Sequence, residues 1–163
     1  DSETAQIAVQ ASLTGHLVFS TLHTNTAVGA ISRLRDMGIE PFLLSSSLSA
    51  VLAQRLIRTL CSECKESHNS DEKENEKLGI NEPSVIYQSK GCDHCNQTGY
   101  MGRSALYELL SINDDIKELI YNEASEAQIL ESAKSHSTLR EQARQMVLAG
   151  DTSLYEAIRV VSL

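Results

Sequence analysis

The residues with the most evident chemistry are four cysteines, which form the pairs Cys61-Ser-Glu-Cys64 and Cys92-Asp-His-Cys95. A two-residue spacer lets both thiolates of one pair reach one ion, and two such pairs complete a tetrahedron around zinc. The 27 residues between the pairs exceed the common separation of about 15–20 residues. Spacing therefore predicts a closed structural zinc site. Reduced structural thiols, disulfides and a thioredoxin-like redox pair are the alternatives.

A second candidate is His23, within the segment Ser-Thr-Leu-His-Thr-Asn (Ser20–Asn25). It follows the apolar run Leu17–Phe19 and precedes a helix-like pattern that begins near Val28. Residues between a buried strand and a helix are where α/β proteins often place ligand-binding groups. An isolated histidine at a strand end is more often structural, so residue type and position leave both interpretations open.

The basic residues of positions 1–62 are all arginines: Arg33, Arg35, Arg55 and Arg58. On a helix face, Arg33 and Arg35 would ordinarily be solvated charges. The absence of lysine from this region favours planar, bidentate recognition of phosphate or carboxylate. Further along, Gly99 and Gly102 suit a tight turn that sets the direction of Arg103.

The formal net charge is −8, and half of it lies in residues 63–82, which carry seven acids against three lysines. An acidic balance without a basic stripe argues against sequence-independent nucleic-acid binding. No apolar run approaches the ~20 residues that span a bilayer, and no signal peptide is evident. We therefore expect any membrane association to come through a partner. We also expect the chain to begin within a larger protein, because Asp1–Thr4 runs directly into a helical pattern.

Hydrophobic spacing predicts an alternation of helices and a strand in the first 60 residues. Residues 2–14 form a helix closed by Gly15, and the consecutive apolar positions Leu17–Leu22 suit a strand buried on both faces of a parallel sheet. A helix from Val28 ends at Gly38. A long helix then begins at Pro41 and carries leucines at steps of four as far as Leu60, directly before Cys61.

The second half predicts smaller elements. Residues 65–82 are a solvated loop or a short exposed helix without an assigned function, and Ala105–Ile112 is a strand or the edge of a helix. Helix starts follow from three Ser/Thr-x-x-Glu/Gln boxes and one asparagine cap. These are Ser125 with Gln128, Thr138 with Glu141, Ser153 with Glu156, and Asn113.

Several segments together resemble one family. They are Asp1–Ala5, Gln10–His16, Ser20–Asn25, Arg33–Pro41, Ala53–Leu56 and the tetracysteine insertion. In this order they resemble the type II and type IV traffic ATPases, which drive pseudopilus and pilus assembly. The stretch from Thr26 to Leu48 is closer to the type II branch than to the pilus-extension ATPases. The resemblance extends through Gly102-Arg103 to the C-terminus and covers nearly the whole chain.

The resemblance implies an α/β fold: the C-terminal portion of a RecA-like P-loop NTPase domain with a zinc subdomain and a small helical subdomain. The implied ranges are 1–60 for the second half of the RecA-like core, 61–103 for the tetracysteine zinc-binding subdomain and 104–163 for the helical subdomain. In the family, the phosphate loop and the acidic strand with its catalytic glutamate precede the segment that starts here. No G-x-x-x-x-G-K-[ST] motif occurs in these 163 residues, so we expect this segment alone to be inactive.

The resemblance also implies roles for individual residues. His23 matches a histidine that senses the γ-phosphate of ATP or its attacking water. Arg33 and Arg103 match arginines at nucleotide or subunit contacts. Cys61, Cys64, Cys92 and Cys95 match the ligands of a structural Zn²⁺.

For the longer parent protein, the resemblance implies ATP and Mg²⁺ as further cofactors and a homo-hexameric ring. The ring docks to a membrane-anchored secretion protein on the cytoplasmic face of the inner membrane and powers protein export. The alternatives are a type IV pilus assembly ATPase and a zinc-stabilised interaction module without a nucleotide role.

Overall fold

The computed structural model describes residues 1–24, 26–133 and 137–163 of the chain. Its helices are α1 Ser2–Leu13, α2 Ala27–Asp36, α3 Pro41–Ser47, α4 Glu72–Leu78, α5 Asp114–Tyr121, α6 Glu126–Ser132, α7 Leu139–Leu148 and α8 Leu154–Val161, with a short 3-10 helix at Asp93–Cys95. Its strands are β1 Ala50–Leu60, β2 Glu66–Asn69, β3 Val85–Gln88 and β4 Tyr100–Ser111. β1 pairs with β4, and β2 pairs with β3.

The chain divides into two compact units, and both long strands contribute residues to each. Unit 1 comprises Asp1–Ala53 and Glu108–His136. Its helices contact one another in the pairs α1–α3, α2–α3, α2–α6, α3–α5 and α5–α6. The interior is aliphatic and includes the fully buried Ile31, Leu44 and Ile120. Burial of these branched side chains is the main term that holds such small helices together.

Unit 2 comprises Gln54–Tyr107 and Ser137–Leu163. It contains the cysteines, the antiparallel β2–β3 ribbon and the helix pair α7–α8. The ribbon pairs Glu66 with Gln88 and Asn69 with Val85. β3 contacts both α7 and α8, and Ile86 on β3 is fully buried. The residues between the two cysteine pairs are therefore folded against the C-terminal helices.

The predicted buried strand at Leu17–Leu22 does not form in this chain. This segment is in neither a helix nor a strand, and Leu17 and Phe19 are 81% and 88% exposed. A strand needs a neighbour to pair its backbone groups, and the described residues supply no neighbour here. The apolar composition shows that the segment is suited to burial, but a strand also requires neighbouring strands to pair with.

The predicted long helix from Pro41 to Leu60 is also wrong, because α3 ends at Ser47 and β1 begins at Ala50. Ser45 and Ser46 donate their hydroxyls back to the Phe42 carbonyl, a local bond that competes with helix continuation. A step of four residues is an even number, so the leucines at 52, 56 and 60 share one face of a strand as well as of a helix. The spacing that predicted a helix therefore could not exclude a strand, and pairing with β4 decided the outcome.

In residues 65–82 the predicted short helix is present as α4, although the same stretch also contains the unpredicted strand β2. The strand alternative for Ala105–Ile112 is confirmed by β4. The helices at 2–14 and near 28–36 are confirmed, and Gly15 and Gly38 follow them with positive φ. Among the described helices, none is long and apolar enough to cross a membrane.

The four predicted caps are present. Side chains of Asn113, Ser125, Thr138 and Ser153 accept hydrogen bonds from backbone N–H groups three residues ahead. At Ser125 the box is reciprocal, because Gln128 accepts a bond from the Ser125 N–H. At Ser153 the Glu156 carboxylate was expected to accept a bond from the Ser153 N–H. It accepts hydrogen bonds from Arg58 and Arg159 instead. Local capping chemistry thus predicted the helix starts but not the partners of Glu156.

Candidate metal centre and nucleotide-associated residues

The two cysteine pairs lie on two short turns. Cys61 directly follows β1, and its carbonyl accepts hydrogen bonds from the N–H groups of Cys64 and Lys65. Cys92 caps the 3-10 helix that carries Cys95. The Cys61 N–H donates to the Gly99 carbonyl at 3.0 Å and so ties the first turn to the end of the second. Gly99 has φ +75, and a Cβ there would lie 2.5 Å from Ser89 Cβ, so only glycine fits this crossing.

The four Sγ atoms form one cluster, all within 4.8 Å of one another. The separations are 3.7 Å for Cys92–Cys95, 3.8 Å for Cys64–Cys95 and 4.0 Å for Cys61–Cys92. Tetrahedral zinc with Zn–S bonds of about 2.3 Å places its thiolates about 3.8 Å apart. Four soft sulfur donors at these separations fit zinc. His68 and His94 are outside the cluster, so the donor set is four thiolates.

The surroundings of Cys95 favour its thiolate. Burial alone would raise the pKa of this thiol, but N–H groups of Cys92 and Gly99 donate to its Sγ at 3.3 and 3.1 Å and, with side-chain bonds from Cys92 and Cys64, lower the pKa to about 6. Burial raises the pKa of the Cys64 thiol to about 12. Several thiolates held this close repel one another, and a divalent cation would remove that repulsion.

The cysteine turns are tied to the loop between α7 and α8 by polar contacts. The Leu60 N–H donates to the Asp151 carbonyl at 2.8 Å, and Lys65 Nζ donates to the Gly150 carbonyl at 2.8 Å. Lys65 Nζ also lies 4.5 Å from the centroid of the Tyr87 ring, a cation–π distance. A metal at the cluster would therefore hold together the point where β1, β3 and the α7–α8 loop meet.

Glu156 is a buried charged residue whose role the sequence did not predict. It is fully buried on α8 and accepts hydrogen bonds from Arg58 and Arg159 at 2.6–2.7 Å. Burial raises its pKa, but the bonds from Arg159 and Arg58 outweigh burial and lower it to about 2. Arg58 in turn lies 4.1 Å from the centroid of the Tyr100 ring, whose hydroxyl is 2.6 Å from Ser153 Oγ. This network links β1 to the start of α8.

The three residues expected near a nucleotide are all exposed. His23 lies between α1 and α2, and Arg33 lies in the last turn of α2. Arg103 lies in β4 directly after Gly102, which has a φ of +77. His23 and Arg33 belong to unit 1, whereas Arg103 belongs to unit 2. No side-chain hydrogen bond or ion pair from these three residues is found among the described residues.

Residues 1–159 match the family model described as "Type II/IV secretion system protein". The chain belongs to this family. The family resemblance seen in the sequence motifs is thereby confirmed, and its type II character rests on the relatives described next. The structure has the expected fold class: a mixed α/β segment with a tetracysteine cluster.

Two curated family members are close relatives. The chain is 56% identical over 164 residues to the type II secretion system ATPase E of Vibrio cholerae, a match that covers 98% of this chain and 32% of that protein. It is 53% identical over 163 residues to the type II secretion system protein E of Pseudomonas aeruginosa, with the same coverage of 98% and 32%. The chain therefore spans about a third of the length of these relatives.

A solved structure supports the fold. The chain is similar to the crystal structure of the pilus retraction motor PilT with bound ADP, with a TM-score of 0.66 and 25% sequence identity. The match covers 98% of this chain and 36% of PilT. The α/β arrangement of this chain therefore corresponds to about a third of PilT.

Proposed function

We propose that this chain is the C-terminal part of the catalytic region of a type II secretion ATPase. The longer protein hydrolyses ATP and couples the hydrolysis to pseudopilus assembly and protein export. The observation that carries the proposal is the identity of 53–56% over 98% of the chain with two type II secretion E proteins, of which one is named an ATPase. At this level of identity the relatives and this chain share local structure as well as overall fold.

In this proposal, His23 senses the γ-phosphate of ATP or its attacking water, and Arg33 and Arg103 contact the nucleotide or a neighbouring subunit. Their exposure supports such roles, because all three side chains are available to a ligand held by other residues. ATP and Mg²⁺ are bound chiefly by a phosphate loop elsewhere in the longer protein, since phosphoryl transfer depends on that loop and its lysine. This chain alone does not hydrolyse ATP.

Cys61, Cys64, Cys92 and Cys95 hold a structural Zn²⁺ in the proposed protein. The ion stabilises the fold and takes no part in the reaction, because four thiolates leave no open coordination position. The ranges 1–60, 61–103 and 104–163 remain our proposed division into half of a RecA-like core, a zinc subdomain and a helical subdomain.

The exposed segment Leu17–Leu22 also has a place in this proposal. Its consecutive apolar side chains suit a strand buried on both faces of a parallel sheet, and Leu17 and Phe19 are exposed among the described residues. In the longer protein, this segment pairs with neighbouring strands of the RecA-like sheet. His23 then lies at the end of a buried strand, where α/β proteins place ligand-binding groups.

The longer protein assembles as a homo-hexamer and docks to a membrane-anchored secretion protein at the cytoplasmic face of the inner membrane. It therefore acts in the cytoplasm as a peripheral protein. Nucleic acid is not a proposed partner, since the net charge of −8 opposes binding to phosphate backbones.

The test is ATP hydrolysis by the longer protein with His23 or Arg103 replaced by alanine, beside this chain alone. We expect His23→Ala to lower kcat strongly with little change in KM, as for a group that acts mainly in the transition state. Arg103→Ala should lower turnover or ring assembly. His16→Ala is the matched control, because His16 is an exposed histidine of the same unit. Normal activity and assembly of both variants, or turnover by this chain alone, would contradict the proposal.

One alternative is a type IV pilus ATPase, which the likeness to PilT supports. The higher identity to type II proteins favours secretion, and neighbouring genes for secretion or pilus components would distinguish the two. A zinc-stabilised interaction module without a nucleotide role would be favoured if the longer protein contained no phosphate loop.

A further inference from the structure

Glu108 on β4 is a buried acidic residue outside the metal centre. It is 4% exposed and lies between Leu106 and Leu110, each of which is 1% exposed. Alternation along the strand places all three side chains on the same buried face. A carboxylate at such a position requires hydrogen-bond partners, because burying it without them is costly.

One partner of Glu108 is the first residue of α2. The Ala27 N–H donates to Glu108 Oε1 at 2.8 Å, and Ala27 is fully buried. Thr26 Oγ1 accepts from the Gly29 N–H at 3.1 Å in the same turn. A carboxylate at a helix start is favourable, because the first N–H groups have no partner within the helix and carry partial positive charge. Glu108 therefore fixes the first turn of α2.

The residues around His23 lie against this turn. Thr24 Oγ1 donates to the Thr26 carbonyl at 3.1 Å. A Cβ added to Gly29 would lie 3.0 Å from Thr26 Oγ1 and 4.0 Å from Thr24 Cβ, so the side chains before the helix pack directly over its first turn. A shift of Ala27 would therefore move the backbone that leads to His23.

The opposite part of α2 has its own attachments. Ser32 Oγ donates to Glu126 Oε1 at 2.7 Å, and Arg35 approaches the Ala124 carbonyl at 3.5 Å. Both partners belong to the region around the start of α6. Of these attachments, the bond from Ala27 to Glu108 is the one whose α2 residue lies nearest to His23 in the sequence.

We propose that Glu108 is a positioning residue for His23. Its carboxylate holds the first turn of α2, and this turn sets the direction in which the imidazole points. Glu108 does not itself touch the nucleotide. The inference rests on the proposed function, because it assigns to Glu108 the placement of the histidine that acts on ATP.

The first experiment measures the contact in this chain by amide hydrogen exchange. Glu108→Ala removes the acceptor, whereas Glu108→Gln retains an oxygen that can accept from Ala27. We expect Glu108→Ala to raise exchange at Ala27 by about tenfold, with a smaller rise for Glu108→Gln. Glu118→Gln removes an exposed charge from the same unit and is the control. Unchanged exchange at Ala27 in Glu108→Ala would overturn the anchoring role.

The second experiment measures ATPase activity of the longer protein with Glu108→Ala, Glu108→Gln or His23→Ala, and with His23→Ala combined with each of the two Glu108 substitutions. We expect Glu108→Ala to lower kcat by about tenfold or more with little change in KM, because small misplacements of a reacting group are costly. Glu108→Gln should restore part of the rate. Glu108→Ala should add little to the loss caused by His23→Ala, because Glu108 acts only through the position of His23.

The outcomes separate the two proposals. If His23→Ala alone leaves kcat unchanged, the proposed function of His23 fails. If His23→Ala lowers kcat but Glu108→Gln and Glu108→Ala do not, the positioning role of Glu108 fails while the proposed function stands. Full additivity of the two losses in the double variant would also overturn the positioning role, because it would show that Glu108 acts independently of His23.

Discussion

Two regions of this protein depend on different kinds of support. In unit 1, Leu17 and Phe19 are more than 80% exposed, at 81% and 88%, in a segment without a pairing strand among the described residues. In unit 2, the backbone around the cysteines is tied by bonds such as Cys61 to Gly99, Leu60 to Asp151 and Lys65 to Gly150. The first region has the composition of a buried strand without its backbone contacts, whereas the backbone contacts of the second region are present in this chain.

The difference shows which features a chain segment can specify by itself. A two-residue spacer and a few glycines bring two thiolates together locally, and short polar bonds then join the two cysteine turns. A parallel strand depends on neighbours that come from distant parts of a chain. In the proposed secretion ATPase, unit 2 is stabilised by metal and ion pairs, whereas the segment 17–22 is stabilised by the rest of the sheet.

The largest expected effect is loss of the metal. We expect about one zinc ion per chain, and strong chelation or Cys92→Ser should loosen residues 61–103 and the α7–α8 loop. In small peptides, the free energy of zinc binding that is coupled to folding is about 10–16 kcal/mol. The loss of stability on zinc removal should therefore exceed the loss caused by each substitution below. Metal analysis and amide exchange measure the effect, and the helices of unit 1 should retain their protection.

The control for metal loss is Ser62→Ala, an exposed position between Cys61 and Cys64. This variant should keep its zinc, because no ligand is changed. Absence of zinc from protein purified without chelators would refute the metal assignment and favour structural thiols.

The next effect concerns the ion pairs of Glu156. Glu156→Gln should lower the free energy of unfolding by about 2–4 kcal/mol near neutral pH, because the fully buried side chain loses its charge-assisted hydrogen bonds to Arg58 and Arg159. Urea unfolding measures this change. The control is Glu76→Gln on the exposed side of α4, for which we expect a change within about 0.5 kcal/mol.

The pH dependence of the Glu156 effect has a definite sign. The folded state lowers the pKa of this carboxyl from its ordinary 4.5 to about 2. Its contribution to stability is therefore present above about pH 4.5 and is lost as the pH falls toward about 2. The difference between the original chain and Glu156→Gln should shrink on acidification through this range, and a difference that grew would contradict the ion-pair account.

A smaller effect compares one glycine from each unit. Gly150 has φ +76, and a Cβ there would lie 2.6 Å from Tyr87 Cδ2, whereas Gly38 has φ +83 with nothing within 4 Å. Gly38→Ala should cost about 1–2 kcal/mol for backbone conformation alone. Gly150→Ala should cost about 1–3 kcal/mol more because of overpacking. Equal losses of stability for the two variants in thermal or urea unfolding would show that Tyr87 on β3 can shift away from the α7–α8 loop to admit the new methyl group.

The smallest effect is expected in the exposed apolar segment. Leu17→Ser and Phe19→Ser should change the unfolding free energy of this chain by no more than about 0.5 kcal/mol, because neither side chain is buried. Leu44→Ala is the positive control, since Leu44 is fully buried and its truncation should cost about 2–5 kcal/mol. In the longer protein the two serine variants should instead be strongly destabilising. A large loss in this chain would mean that the segment already packs here.

The sequence predicted the features that arise from neighbouring residues. The cysteine pairs, the caps at Asn113 and Ser125 and the end of α2 at Gly38 all follow from contacts a few residues apart. The strand β1 was missed because its leucine spacing suits a helix equally well, and pairing with β4 decided between the two. The ribbon β2–β3 was missed because each of its strands is only four residues long and β2 is polar throughout.

Two buried acids were also missed, although the sequence carried a signal for one of them. Glu108 alternates with Leu106 and Leu110, which places it on the buried face of any strand through this segment. Glu156 was interpreted as the return partner of the Ser153 cap. Its bond to Arg58 joins residues that are 98 positions apart, a contact that no local pattern contains.

Amide hydrogen exchange of this chain and of the longer protein, measured side by side, tests whether the rest of the longer protein orders residues 17–22. We expect residues 17–22 to exchange rapidly in this chain and to become protected in the longer protein, where they pair within the sheet. Residues 61–103 should show the same protection in both, provided zinc is present. Rapid exchange of residues 17–22 in the longer protein as well would contradict the proposed sheet pairing, because the segment that leads to His23 would then have no sheet to hold it.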